Sequence, residues 1–270
     1  IRDRSTWERR ASMTLTRELK RRGVNVIART AVDRVDTGAN LGATVHYRQG
    51  DSDEDRTAYG EVVLAAIGRV PNTDADWFRS SGLKLDERGY VTVDGYGRTN
   101  LDGVWALGDI TPGHALAHRA FEQGITIAEK IAGADPKPVL DDTVPQVVFS
   151  FPEAASVGLT LDQAKAREDV VEPKETAYPM LSNARMLMSG EGGSMTVVSG
   201  AFANNPDMQV VLGVHIVSPI ASDLIAEAEQ LVGNRVPLAD AARLIHPHPT
   251  FSETLGEALL KADGRPLHTR

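Results

Sequence analysis

His246-Pro247-His248-Pro249-Thr250-Phe251-Ser252-Glu253 stands near the C-terminal end of the sequence, followed by Thr254-Leu255-Gly256-Glu257-Ala258-Leu259-Leu260. Two histidines, each followed by proline, do not suit a helix interior. Proline removes a backbone donor and pushes the residue before it towards extended geometry. His246 and His248 therefore read as parts of a stiff, extended approach. Thr250 then offers an N-cap, and Glu253, three residues on, completes a capping box. Leu255, Ala258, Leu259 and Ala262 recur at helical spacing and predict a helix packed on one face.

An imidazole is thus held just ahead of a helix, with a carboxylate one turn in. If Glu253 accepts a hydrogen bond from one ring nitrogen of His248, it fixes the tautomer. The other nitrogen is then free to act as a base near neutral pH. Spacing alone leaves a plainer reading open, in which Glu253 only caps its helix and the histidines are loop residues.

The octapeptide resembles the C-terminal signature of the FAD-dependent pyridine nucleotide-disulfide oxidoreductases. It is closest to their dihydrolipoamide dehydrogenase branch, whose usual form is His-Ala-His-Pro-Thr-Leu-Ser-Glu. The resemblance implies that His248 is the acid/base partner of a redox disulfide and that Glu253 orients it. Pro247 and Phe251 replace Ala and Leu, which stiffens the approach without removing a functional group.

At 270 residues the chain has room for one large domain or two ordinary ones, and 41% apolar content is enough for a sizeable core. A net charge of -8 argues against nucleic acid as a partner. No apolar run reaches the length of a membrane span and no signal peptide opens the sequence, so a cytoplasmic enzyme is expected. There are no cysteines. Disulfides and cysteine-based metal sites are therefore excluded, and the redox disulfide implied by the resemblance is not in this chain.

Ile1-Arg2-Asp3-Arg4 reads as the end of a strand. Residues 7–22, charged with Met13, Leu15 and Leu19 interspersed, predict a helix with Gly23 as C-cap. Residues 24–28 then read as a short strand, giving half of a βαβ crossover. A strand over 43–48 and a charged hairpin tip over 49–56 follow. Val62-Val63-Leu64-Ala65-Ala66-Ile67 has the near-continuous apolar content of a buried strand. It ends in Gly68-Arg69-Val70-Pro71-Asn72, where glycine permits close backbone approach to a ligand, an ordinary turn being the alternative. These residues resemble the Gly-Arg-x-Pro-Asn loop that closes the NAD domain of the family, which marks Gly68 and Arg69 as cofactor-binding.

A short helix over 76–81 and a strand over 90–94 lead to Leu101-Asp102-Gly103-Val104-Trp105-Ala106-Leu107-Gly108-Asp109. A strand stopping at Gly108-Asp109 places a carboxylate at the carboxyl edge of a sheet, where nucleotide cofactors bind; a solvated turn aspartate is the plainer reading. In context it resembles the family's second FAD motif, which implies that Asp109 bonds the ribityl and phosphate region. Leu116-Ala117-His118-Arg119-Ala120 resembles the family's Leu-Ala-His-x-Ala helix start, whose backbone donors face the flavin. That helix is expected to run to about residue 131. His114 and His118 are four apart, but no third metal ligand is evident.

Residues 132–142 read as a linker, and 143–270 as a separate α+β unit. Strand pieces over 147–153 and 155–158, around Pro152, resemble the opening of the family's dimer-interface domain. A helix over 161–167 follows. Residues 195–202 and 209–217 predict paired strands across the turn Asn204-Asn205-Pro206-Asp207. Ser218 caps a helix over 219–232, whose stripe of Ala221, Leu224, Ile225, Ala228 and Leu231 belongs to the core, and a second helix covers 238–244.

The fold class expected is α/β, with partial NAD- and FAD-binding Rossmann-like domains (1–73 and 74–142) followed by an α+β dimer-interface domain (143–270). Gly-x-Gly-x-x-Gly occurs nowhere; Gly95-Tyr96-Gly97 has Asn100 in place of a third glycine and reads as a turn. The chain is accordingly expected to be the C-terminal part of its enzyme. The resemblance implies FAD and NAD as cofactors and oxidation of dihydrolipoamide. It also implies a homodimer through 143–270, with the lipoyl domain of a 2-oxoacid dehydrogenase complex as partner. Arg2 and Arg4 beside Asp3 stand where the nicotinamide selector would be, which leaves NADP open. A glutathione- or mycothiol-type reductase is the alternative enzyme, and a catalytically silent dimerisation module the alternative of a different class.

Overall fold

The computed structural model describes residues 7–38 and 42–269, so the strand end and selector read on Ile1, Arg2, Asp3 and Arg4 lie outside the described residues. The chain divides into two compact units, residues 20–70 and the remainder.

Within residues 20–70, β1 (Thr30–Thr37), β2 (Ala43–Gln49) and β3 (Arg56–Gly60) form an antiparallel sheet in that order. The expected strand 43–48 and its charged tip are both present. Residues 24–28 are not a strand. The ladder of β1 with β2 opens at Thr30 opposite Gln49, so the preceding residues run past its end. Residues 62–67 are not a buried strand either: they adopt no regular structure, with Val62 and Leu64 each 87% exposed. The β2–β3 ladder ends at Gly60, and β2 already carries a neighbour on each side. An apolar run becomes a central strand only where ladders exist to receive it.

The helix expected over 7–22 is α1 (Arg9–Arg21), which lies in the larger unit as far as Leu19, and Gly23 follows it with φ +83° as a left-handed terminator. The short helix α2 (Asp76–Ser80) is where expected. The strands expected over 90–94 and 101–109 are reduced to isolated bridges, Leu85 to Val91 and Arg98 to Trp105. Turn chemistry wins there. Asp94 Oδ1 accepts the amides of Tyr96 and Arg98, and Val104 folds back onto Leu101 around Gly103 at φ +71°. Gly108–Ile110 is a 3₁₀ turn, and α3 (Ala117–Ile131) follows as expected.

The rest is built on a five-stranded antiparallel sheet, in the order β4-β5-β8-β7-β6. Its strands are β4 (Gln146–Val148), β5 (Glu153–Gly158), β6 (Val170–Pro179), β7 (Ser194–Phe202) and β8 (Asn205–Ser218). The helices are α4 (Leu161–Ala166), α5 (Ala184–Ser189), α6 (Ala221–Gly233), α7 (Leu238–Ala241) and α8 (Glu253–Ala262). One face packs Met195, Val197, Val214 and Ile216 against Leu224, Ile225 and Ala228 of α6 and Leu255 and Leu259 of α8. On the other, Val198, Val210 and Leu212 meet Ala164 of α4, while Ala154 and Val217 meet Ala11 and Leu15 of α1. Both faces are covered, so Val197 and Val198 of β7 and Val210, Val211 and Leu212 of β8 are buried on either side of the sheet.

Several boundaries differ from expectation. The hairpin turns at 203–204, with Phe202 opposite Asn205. A register slip between Ala201 and Phe202 takes up Pro206, which has no amide to donate. The helix expected over 238–244 is a single turn, Leu238–Ala241. The helix expected over 219–232 starts at Ala221, with Ile220 as N-cap and the Ser218 hydroxyl accepting the Ile220 amide. β6 and α5 were not expected at all. Pro173 and the charged residues Glu172, Lys174 and Glu175 obscure β6.

Inside the sheet His215 is 1% exposed. Its Nε2 donates to the carbonyl of Leu159 (3.1 Å), so its Nδ1 accepts the Ser156 hydroxyl (2.7 Å). Burial pushes this imidazole down to about 4 from an ordinary 6.5. The unfolded chain binds a proton at His215 that the folded chain refuses. Its contribution is therefore complete above pH 6.5 and is lost as pH falls towards 4. By linkage the loss approaches roughly 3 kcal/mol. Urea unfolding of the wild type and His215→Leu should show that part of the acid destabilisation only in the wild type; equal slopes between pH 6.5 and 4.5 would contradict it.

Candidate functional site

Helix α8 starts at Glu253 with Ser252 as N-cap, two residues later than the capping-box reading places it. Only half of that box forms. The Glu253 carboxylate accepts the Thr250 amide through Oε2 (2.8 Å), but the Thr250 hydroxyl donates to the Pro247 carbonyl (2.6 Å) instead of capping the helix. The cause lies in the prolines: the chain folds tightly enough after Pro247 to bring its carbonyl within reach of Thr250. The peptide between His248 and Pro249 is cis.

The second oxygen of the same carboxylate serves the ring. Glu253 Oε1 lies 2.8 Å from His248 Nδ1. Glu253 thus pins the chain ahead of its helix and orients the ring at once. The His248 side chain is 72% exposed, so its far edge is open. With Nδ1–H donating to Glu253, a neutral ring carries its free lone pair on Nε2. Burial raises the Glu253 carboxyl, but the Thr250 amide and the His248 ring outweigh it, leaving the group below its ordinary value.

Gly108 and Asp109 lie at the start of the 3₁₀ turn, with Gly108 at φ +74°. The Gly108 amide donates to the side chain of Gln123 on α3 (2.9 Å), which ties that turn to the helix. Leu116 is the N-cap of α3 and supplies no side-chain cap, and the first turn of a helix leaves its amides, here those of Ala117 and His118, without intrahelical partners. The imidazole of His118 is engaged elsewhere: its Nε2 donates to the Pro145 carbonyl (2.7 Å). His114 turns to Gln146. Gly68, at φ +129°, and Arg69 lie exposed in the smaller unit.

Two supporting residues escaped the sequence reading. Arg119, 6% exposed, reaches Asp141 (2.7 Å) and the Pro112 carbonyl (2.6 Å), fastening the segment after Asp109. Asn183, 5% exposed, accepts the Met186 amide and donates to the Thr250 carbonyl (3.1 Å), fastening the segment after His248. Asn183 directly before a helical run is an N-cap signal; the second bond joins residues 67 apart and no local pattern announces it.

Residues 2–124 match the pyridine nucleotide-disulphide oxidoreductase family, and residues 144–259 match its dimerisation domain. The chain belongs to the pyridine nucleotide-disulphide oxidoreductase family. It is 38% identical over 254 residues to the dihydrolipoyl dehydrogenase of Cupriavidus necator, covering 93% of this chain and 51% of that protein. To the dihydrolipoyl dehydrogenase of Geobacillus stearothermophilus it is 37% identical over 270 residues, covering 98% of this chain and 54% of that protein. The chain spans about half the length of these relatives. Among solved structures, LpdA from Mycobacterium tuberculosis superposes with a TM-score of 0.81 at 29% identity, over 94% of this chain and 53% of that one. An HOCl-induced flavoprotein disulfide reductase from Escherichia coli shares the fold, with a TM-score of 0.79 at 22% identity.

Nitrogen-detected NMR of the imidazoles provides a direct check of the geometry. His248 should show the Nδ1–H tautomer in the neutral wild type, and Glu253→Ala should return it to the mixture of a free imidazole. An unchanged spectrum would mean that the carboxylate does not set the tautomer.

Proposed function

We propose that this chain is the C-terminal part of an FAD-dependent enzyme that oxidises dihydrolipoamide and passes the electrons to NAD. The observation that carries this reading is the His248–Glu253 couple, a fixed imidazole with an open Nε2 in a family whose reaction joins a pyridine nucleotide to a disulfide. A thiol is a poor nucleophile until deprotonated, and only the thiolate attacks a disulfide. His248 Nε2 accepts the proton of one substrate thiol. The resulting thiolate attacks one sulfur of a redox disulfide, breaking its S–S bond. Glu253 holds the ring and stabilises the imidazolium that forms. The second substrate thiol then displaces the enzyme sulfur, leaving lipoamide oxidised and the enzyme dithiol reduced.

That disulfide is on other residues, because this chain has no cysteine. The reading therefore includes a homodimer through residues 143–270, in which His248 serves a disulfide of the other subunit; the match of residues 144–259 to a dimerisation domain supports it. FAD and NAD are assigned with the dihydrolipoyl dehydrogenase family. The described residues fit a flavin edge: the uncapped start of α3 at Ala117 and His118, with Asp109 on the adjoining turn, offers backbone donors and a carboxylate. FAD, when bound, supplies the two-electron relay between dithiol and nicotinamide. Gly68 and Arg69 are assigned to the nicotinamide side. The lipoyl domain of a 2-oxoacid dehydrogenase complex is the macromolecular substrate of this reading, and the cytoplasm its location.

In the intact enzyme, His248→Gln should lower kcat/KM for dihydrolipoamide by roughly 10²–10⁴-fold, the usual contribution of a positioned acid/base. Glu253→Gln should lower it less. Turnover untouched by His248→Gln would sink the assignment. The absence of cysteine specifically favours a second reading, in which this polypeptide by itself is a silent dimerisation module. Purified alone it should form colourless dimers, since no Gly-x-Gly-x-x-Gly loop is present to cradle a dinucleotide phosphate; a stoichiometric yellow preparation would refute that.

A further inference from the structure

We propose that Glu227 and His246 are a second imidazole–carboxylate couple, a positioning pair that sets where His248 is presented. The inference rests on the reading of His248 as the acid/base. His246 Nε2 lies 2.8 Å from Glu227 Oε1 on α6. Its ring is 9% exposed, in contrast to 72% for His248. The other side of the ring presses on α8: a Cβ built on Gly256 would lie 2.5 Å from His246 Nδ1 and 2.9 Å from Cε1. Contacts that short are impossible for a real side chain, so only glycine lets the imidazole lie on the helix backbone. His246 is therefore wedged between α6 and α8, and it has no open nitrogen with which to meet a substrate.

The wedge matters because the loop around it has little else to hold it beyond the Thr250 hydroxyl on the Pro247 carbonyl. Ile245 is 96% exposed, and Pro247 and Pro249 have no amide to donate. Beyond His248 the chain is fixed again, at Thr250, by Glu253 and Asn183. His248 thus hangs between two anchors, Thr250 on one side and the His246 ring on the other. Glycine in the middle of a helix is less favourable than alanine, because it loses more backbone freedom on folding. Helix α8 bears that cost at the position where the ring lies.

The electrostatics agree with the geometry. The hydrogen bond from Glu227 raises the His246 imidazole above its ordinary value against the opposing effect of burial, with the Leu244 carbonyl and the Glu253 carboxylate adding to it. The carboxylates facing this ring are Glu227 from α6 and Glu253 from α8. A protonated His246 serves Glu227 at Nε2, and its contribution persists at low pH and fades as pH rises through its raised value.

The test uses the intact dimeric holoenzyme and a double-mutant cycle. Glu227→Gln and Gly256→Ala should each lower kcat for dihydrolipoamide oxidation by about ten- to a hundredfold, as expected for displacement of a reacting group by an ångström or less. KM, flavin content and dimerisation should stay near wild type. Each should also reduce the Nδ1–H tautomer population of His248 seen by NMR. His246→Gln, which keeps a donor, should retain more activity than His246→Ala. Combined with His248→Gln, neither Glu227→Gln nor Gly256→Ala should cost anything further, because the group they position is gone. Glu227 is a third exposed, so its variant stays folded even if Gly256→Ala does not. Additive losses, or full activity in Glu227→Gln beside a slow His248→Gln, would overturn the positioning role alone. Full activity in His248→Gln would remove the reading of His248, and this inference with it.

Discussion

One carboxylate with two obligations organises the candidate site. Glu253 binds a backbone amide with one oxygen and an imidazole with the other, so the start of α8 and the orientation of His248 are a single event. The charge is also well placed, since a carboxylate in the first turn of a helix is favoured by the exposed amides there. Removing it would free the ring and loosen the helix entry together. Helix entry and ring orientation are therefore not separable at this residue.

What allows so small an arrangement to stay put is the sheet beneath it. Helices α6 and α8 lie on the same face of β7 and β8, packed through Leu224, Ile225, Leu255 and Leu259. That packing fixes the distance between Glu227 on one helix and Gly256 on the other, the gap into which His246 fits. Large aliphatic contacts thus set a polar geometry that the loop, with two prolines and an exposed Ile245, has little means to hold by itself.

The parts of this architecture that the sequence made legible are those whose cause is local. Two strand-like stretches flanking the Asn204-Asn205-Pro206-Asp207 turn announced β7 and β8, a stripe at helical spacing announced α6, and His248 with Glu253 could be paired from spacing. The failures share a different cause. Residues 62–67 carry every mark of a buried strand, yet a strand is a property of a ladder, and the ladder beside them ends at Gly60. Residues 101–109 resemble a strand in composition, but Asp94 and Gly103 impose turns that composition does not weigh. β6 is illegible in sequence because Pro173 beside Glu172, Lys174 and Glu175 suits only an edge strand, which its neighbour β7 reveals. Asn183 and Glu227 could not be found from spacing, since each acts on a loop far away in sequence.

The buried trio of Ser156, His215 and Leu159 has a consequence beyond its own hydrogen bonds. Between Val210 and Val217, β8 is mostly valine, leucine and isoleucine, and such a run could slide along its neighbours with little loss of hydrophobic contact. Sliding by two residues would carry the imidazole away from both its hydroxyl and its carbonyl into hydrocarbon, at the price of an unsatisfied polar group in the interior. A polar plug of this kind discriminates against misaligned sheets during folding, so a greasy strand keeps one alignment rather than several.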